Sequence, residues 1–297
     1  MISDLPKIAK RDTQKHIPNM YLFEYRQIMI VLLLGSLAHI SALKVSSKPP
    51  LLPPKATAAK LFLFGSTVGP LVDSLHNQCL LEYDMAPITI QNPISSSAPP
   101  LLCTSWAVPP LLGIAYLILG YILPRVIELV SNVKVSDSDD NATTYYDSTG
   151  NNELKNKAIL AVTSTAGIIK LSEFLQTHEF FDAKTNLEIM AASDLLQWIV
   201  LDGTPVALVA SCVVGVGGPL SELPFVAHGF WHYIPQSADY IPLENGLNGI
   251  SDSLATTILG DGYRDLALSS ITGPCYFAVA MDSIALSRYF YSSEDIN

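Results

Sequence analysis

The stretch Thr104 to Pro124, TSWAVPPLLGIAYLILGYILP, carries no charged residue. As a helix rising ~1.5 Å per residue it is long enough to cross a hydrocarbon core of ~30 Å. Trp106 stands where an aromatic anchor meets the membrane interface. Pro109 and Pro110 follow in the first turn of such a helix, where backbone N–H groups have no partners and a missing one costs little. Gly113 and Gly120 are seven apart, which places them on one face and admits a neighbouring helix. Arg125 closes the run at the opposite interface.

Composition points the same way. Hydrophobic residues make up 49% and charged residues 15%, with mean hydropathy +0.33. A soluble domain carries about 25% charged residues. The net charge of −10 argues against nucleic acid as a partner, and the acids collect in loops. The 4 cysteines include no CxxC. Cys212 and Cys275 fall in apolar runs, while Cys79 and Cys103 bracket one loop and would bond there in an oxidising lumen. No zinc spacing, P-loop, GxSxG or dinucleotide fingerprint is present, so no cofactor or metal is expected. His228 and His232 would be i, i+4 on a helix around Trp231, but no carboxylate or cysteine completes a metal site and Pro235 follows.

Along the chain, residues 1–57 read as a basic leader or signal-like segment, with an apolar run at 28–43, followed by a Pro- and Lys-bearing linker. Spans are expected at about 58–77, 104–124, 157–176, 186–201, 203–226 and 269–290. An acidic loop at about 131–156 has too little apolar surface to order. The loop 227–268 carries turn signals at Asn245-Gly246 and Asn248-Gly249, and 258–264 reads as a short interfacial piece. Residues 292–297 form an acidic tail. Lys and Arg concentrate in the N-terminal segment and around the 125–157 loop and are absent from 78–103, which predicts both termini on the cytosolic side. The sequon Asn141-Ala142-Thr143 then lies on that side and stays unmodified.

Several stretches resemble the Insig family. They are Trp106 with Val108-Pro109-Pro110, the run Trp198-Ile199-Val200-Leu201-Asp202-Gly203, and Gly273-Pro274-Cys275-Tyr276-Phe277 with Ser287-Arg288. The likeness covers about 58–291; residues 1–57 and the acidic loop match nothing, and Asp73, His76 and Asp194 depart from the family pattern. The resemblance implies an all-α, polytopic fold of six transmembrane helices in the endoplasmic reticulum membrane. It implies a non-enzymatic scaffold that binds an oxysterol or diacyl lipid, regulates sterol biosynthesis and cholesterol metabolism, and retains membrane partners with sterol-sensing domains. It assigns Asp202 and Trp198 to partner binding. A homo-oligomer and a plastid membrane are further readings.

Polar residues inside spans are costly and face a bundle interior or a wet cavity. Asp73, His76 and Asn77 share one helical face, and Asp73 is placed to orient His76. Lys170 and Glu173 read as an i, i+3 pair, and Asp194 and Gln197 as a face toward neighbouring helices. Asp282 is the deepest isolated acid. The GVGGP run, Gly215 to Pro219, is expected to break its helix and free carbonyls for a ligand hydroxyl. The residues expected to meet lipid are Trp106, Pro109, Gly215, Gly217 and Asp282. The competing reading is a small secondary transporter that relays protons through Asp73, His76, Glu173, Asp194 and Asp282, although no internal repeat supports it.

Overall fold

A computed structural model describes residues 51–93, 100–130, 151–178, 181–246 and 250–293, and the apolar runs within them become helices. The 28–43 run, most of the acidic loop, the Asn141 sequon, Asn248-Gly249 and the end of the tail lie outside the described residues. The helices are α1 (Lys55–Leu80), α2 (Val108–Val130), α3 (Asn151–Thr177), α4 (Ala183–Leu201), α5 (Pro205–Ala227), α6 (Ile250–Leu259) and α7 (Thr272–Ser292). Two small sheets interrupt the all-α expectation: β1 (Leu81–Tyr83) pairs with β4 (Trp231–Tyr233), and β2 (Pro87–Ile90) pairs with β3 (Leu102–Ser105).

Among the described residues three helical stretches are long and apolar enough to cross a membrane: Val108–Val130, Asn152–Thr177 and Pro205–Ala227. α1, α4 and α7 fall short of that mark by composition. For α7 the reason is its position. It packs on α1, α2, α3, α4 and α5, and nearly everything from Thr272 to Ser287 is buried, Asp282, Ser283 and Ser287 included. A helix surrounded by helices has no need of a lipid-facing surface and can carry polar groups.

Several boundaries shift from the sequence reading. Thr104 and Ser105 lie in β3, and α2 starts at Val108 with Pro109 and Pro110 in its first turn. α3 begins at Asn151, inside the stretch assigned to the acidic loop. The GVGGP run does not break α5. Helix continues through Pro219 to Ser221, and the break comes at Glu222. The small residues there serve contact: a Cβ on Gly218 would run into the Tyr276 ring of α7.

Gly113 and Gly120 do not share a neighbour. A π turn at Ile118–Ile122 interrupts α2. One such turn accommodates an extra residue, which rotates the following turns by roughly 100°. Gly113 therefore faces Ser66 and Phe62 of α1, whereas Gly120 faces the backbone of Ser283 in α7. On α1, Gly65 completes the close crossing: a Cβ there would stand 2.5 Å from the Leu112 carbonyl oxygen and 2.9 Å from Tyr116.

This packing sets an expected outcome. Gly65→Ala should destabilise the bundle by about 1–3 kcal/mol through overpacking against a backbone that cannot yield. Gly167→Ala is the control, because nothing lies within 4 Å of its Cβ position in α3; it should be neutral or stabilising by about 0.5–1 kcal/mol. Thermal unfolding of both variants in one mild detergent checks the contrast, and equal melting temperatures would refute it.

Candidate functional site

Consecutive long helices reverse direction, so the bundle has two ends. At one end lie the start of α1, the α4–α5 turn and the end of α7; there Lys60 Nζ donates to Ser293 Oγ at 2.9 Å. The other end carries the strands. The antiparallel pairing of β1 with β4 sets Leu81 opposite Tyr233 and Tyr83 opposite Trp231. Side chains alternate along a strand. Leu81, Tyr83, Trp231 and Tyr233 thus turn inward, while Glu82 and His232 face out, with His232 Nδ1 2.7 Å from Asp84 Oδ2.

Beneath this strand pair is a cavity of ≈ 210 Å³. Its apolar walls include Val108, Leu111, Leu112 and Ala115 of α2 and Val279 of α7; its polar groups include Asp73, His76 and Asn77 of α1, Glu222 at the α5 break, and Tyr276 of α7. The centre of the polar side is Glu222, only 7% exposed. Its Oε2 accepts from the Tyr233 hydroxyl at 2.6 Å and from Trp231 Nε1 at 3.3 Å, and its Oε1 accepts from the Tyr276 hydroxyl at 2.9 Å. The break at Glu222 has a backbone cause. Pro224 has no N–H to give the Leu220 carbonyl, so the ladder cannot run on unbroken, and Glu222 N–H reaches back to the Pro219 carbonyl at 3.1 Å in a tightened turn. Burial and the nearby Glu222 charge push the Tyr233 phenol well above its usual range, so it remains a donor.

Asp73, His76 and Asn77 do share a face, and that face lines the cavity. Asp73 does not orient His76, however. Asn77 Nδ2 donates to Asp73 Oδ2 and to the Tyr83 hydroxyl, the latter at 2.7 Å. His76 Nδ1 is instead 2.9 Å from Ser172 Oγ of α3. Burial, with the Asp73 charge second, pushes the Tyr83 phenol up.

The other expected site residues lie elsewhere. Trp106 is 72% exposed and, like Pro109, Gly215 and Gly217, is not among the cavity's lining residues. Asp282 is buried in mid-bundle and accepts from the Tyr116 hydroxyl at 2.7 Å. Lys170 pairs with Glu173, with the lysine exposed. Gln197 Nε2 donates across to Ser164 Oγ at 2.9 Å and Thr165 Oγ1 at 2.8 Å, as a helix-facing amide should, while both Asp194 carboxylate oxygens are buried without a hydrogen-bond partner. Asp282 and Glu173 thus keep separate partners, and no hydrogen bond among the described residues links Asp194 to either.

Asp202 is not displayed for contact. Gly203, at φ +69°, closes α4 by donating its N–H to the Trp198 carbonyl at 2.8 Å, a left-handed cap that suits glycine. The Trp198 indole donates to the Thr204 carbonyl at 2.9 Å, and Thr204 N–H donates to Asp202 Oδ1 at 2.8 Å. The other oxygen, Oδ2, meets Arg288 Nη1 of α7 at 2.6 Å, and the Asp202 side chain is 4% exposed. Arg125 and Glu128 of α2 form a second buried pair, at 2.5 Å.

His228 ends α5 and His232 lies in β4, so the pair is not helical. Cys79 and Cys103 are free thiols, so the bond that an oxidising lumen would allow is not formed here. Among the described residues no group of His, Cys, Asp or Glu is arranged to hold a metal ion. The sequence reading missed Glu222, Tyr83, Tyr233 and Tyr276 as one site. An acid inside an apolar run, three residues after one proline and two before another, was the available signal; its phenol donors come from a distant strand and another helix.

With this geometry in hand, comparison places the chain. A family model described as insulin-induced protein (INSIG) matches residues 56–269. Among solved structures, a mycobacterial Insig homolog, MvINS from Mycobacterium vanbaalenii, is 20% identical over 80% of this chain and 94% of that chain, with a TM-score of 0.48. A cross-linked trimer of MvINS gives 20% identity, 80% and 95% coverage and a TM-score of 0.49. No curated protein matches the sequence.

Two outcomes follow from the charges. Asp202→Ala removes one partner of a buried ion pair and should cost about 3–5 kcal/mol, with Arg288→Met in the same chain recovering part of the loss. Equal stability of the single and double variants would overturn the pairing. In the loop before α7, burial pushes Asp239 up to about 6, against hydrogen bonds from Ser270 N–H (2.7 Å) and Oγ (2.5 Å). The folded state therefore holds the proton more tightly than the unfolded chain. This contribution is fully present below about pH 4 and gone above about pH 6, worth up to ~3 kcal/mol for two pKa units. Thermal unfolding between pH 4 and 7 should show the decline, and Asp239→Asn should flatten it.

Proposed function

The chain belongs to the insulin-induced protein (INSIG) family, and on that footing we propose that it is a non-enzymatic, lipid-sensing membrane scaffold. The observation that carries this reading is the cavity under β1 and β4, where apolar walls from α2 and α7 meet a polar side built from α1 and Glu222. That division suits a molecule with a polar head and an apolar body. At ≈ 210 Å³ it is smaller than the ~300–1,000 Å³ of ordinary ligand pockets, so it receives the head of a lipid while the hydrocarbon remains between helices and bilayer. The family resemblance names an oxysterol or a diacyl lipid as the occupant and sterol-sensing membrane proteins as the partners retained.

In this reading α1, α2, α3, α4, α5 and α7 all span. The three less apolar helices are carried by their neighbours, as buried α7 is. The end bearing Asp202 faces the cytosol of the endoplasmic reticulum by its basic flanks, Lys55, Lys60, Arg125, Lys155 and Lys157 among them. A fluorescent fusion distinguishes this membrane from that of a plastid. Asp202 acts on partners by holding the α4–α5 turn against α7, and Trp198 by bracing that turn from within. A second copy of the chain is a further candidate partner.

The test is binding of a radiolabelled oxysterol to the purified chain in mild detergent, competed with unlabelled sterols and with diacyl lipids. Saturable binding should fall at least tenfold in Ala115→Phe, which fills the cavity from α2. Asp202→Ala should lose partner co-purification while it keeps lipid binding. Binding indifferent to Ala115→Phe would remove the cavity from the mechanism, and undiminished partner capture by Asp202→Ala would remove Asp202.

A further inference from the structure

The hydrogen-bond inventory around the cavity constrains the chemistry of what enters it. All three groups bonded to Glu222 are donors: two phenols and an indole. An indole N–H only donates. A carboxylate anion accepts all three at once, whereas a protonated carboxyl would have to turn one of the two phenols into its acceptor. Asp73 is served likewise, by Asn77 Nδ2. Two acidic side chains thus share one cavity, and among the described residues no Lys or Arg lines it with them. The one basic group there, His76, is held at Nδ1 by Ser172 of α3, and Cys275 completes the titratable lining with Tyr83, Tyr233 and Tyr276.

The bundle's opposite end shows the contrast: Asp202 meets Arg288, and Glu128 meets Arg125. Around the cavity the counter-charge is left to the occupant. Aromatic rings supply the rest of the environment, since Tyr83, Phe225, Trp231, Tyr233 and Tyr276 all line the space. Phe225 stacks on Trp231 at 5.0 Å, and Tyr83 meets Trp231 edge-on at 6.2 Å. Aromatic walls beside carboxylates are the surroundings in which ammonium groups are recognised.

We propose that the cavity selects a lipid whose head carries an alkylammonium group, seated between Asp73 and Glu222 and among the aromatic side chains. This rests on the reading of the cavity as a lipid site and names the head-group class within it. An ammonium supplies only donors, which matches an acceptor pair; a hydroxyl supplies one donor and no charge and binds more weakly at the same place.

The test uses the full-length chain in mild detergent and a pair of lipids that differ in charge alone. Sphingosine carries a free amine, and N-acetylsphingosine has the same chain and hydroxyls with that amine neutralised. Calorimetric titration should show saturable sphingosine binding at least tenfold tighter than N-acetylsphingosine. Asp73→Asn and Glu222→Gln should each erase most of that preference; Asp73→Asn keeps the three donors of Glu222 in place should the second variant fold poorly. Equal affinities, or preference for the neutral lipid, would overturn the ammonium assignment while leaving the lipid site intact. Binding of neither lipid beside saturable oxysterol binding would do the same. Binding of neither lipid and no oxysterol would overturn the lipid site as well. Free ethanolamine is the last arm: failure to displace sphingosine supports a lipid-borne amine, and full displacement would place the amine on a small molecule instead.

Discussion

The structure depends on how closely its backbones approach one another around α7. Inside a membrane, apolar side chains gain nothing by leaving lipid for protein, so helices associate through dispersion contacts and interhelical hydrogen bonds. Both scale with proximity. Gly120 against the Ser283 backbone and Gly218 against the Tyr276 ring bring α2 and α5 onto α7 at separations that a Cβ would forbid. Polar contacts then become possible across the gaps: Tyr116 to Asp282, Thr165 to the Ala278 carbonyl at 3.1 Å. The order matters. Small residues make the approach, the approach buries the polar groups, and the polar groups fix the register of one helix against another.

That chain of causes explains which parts of the fold are legible in the sequence. The uncharged run that becomes α2, and the apolar runs of α3 and α5, declare themselves by length and composition; α2 and α3 leave most of that surface uncovered, whereas α5 is apolar although most of it is buried. α7 is legible as a helix from its Pro-Cys-aromatic start, but its central place is not, since burial by neighbours leaves the same mixed pattern as a wet helix. The π turn in α2 is invisible for a related reason. It redirects Gly120 from α1 to α7, and no residue type marks it. GVGGP reads as a break from its local chemistry, yet the ladder survives through Pro219 because Gly218 is held against Tyr276. Tertiary contact overrides local preference there by three residues.

The candidate site divides along the same line. Asp73, His76 and Asn77 are found from helical spacing alone, since i, i+3, i+4 is a property of one helix. Glu222 belongs to a set whose other members lie in β4 and α7. Three-residue strands such as β1 and β4 carry too little alternation to announce themselves, so the inward turn of Tyr83, Trp231 and Tyr233 emerges only with the pairing. Asp202 shows the opposite case. Its position in the family's aromatic run is plain in sequence, but its ion pair with Arg288 requires the fold.

The two ends of the bundle neutralise charge in different ways, and this difference has a thermodynamic consequence. At the Asp202 end, guanidinium groups compensate carboxylates from within the chain, so that end closes without help. At the strand end, Asp73 and Glu222 are met by neutral groups, which satisfy hydrogen bonding but bring no counter-charge. An occupant that brings positive charge supplies it, and ligand binding then adds RT ln(1 + [L]/Kd) to the stability of the folded state. The groups that gain are those that line the cavity, and they come from α1, from the break in α5 and from the first turns of α7. The β1–β4 pairing joins the first two of these segments. On the proposed reading, occupancy of the cavity therefore tightens the strand end relative to the ion-paired end. α7 runs the length of the bundle from Tyr276 beside the cavity to Arg288 beside Asp202. On the same proposed reading, α7 is the one helix through which a change at the cavity reaches the Asp202 turn.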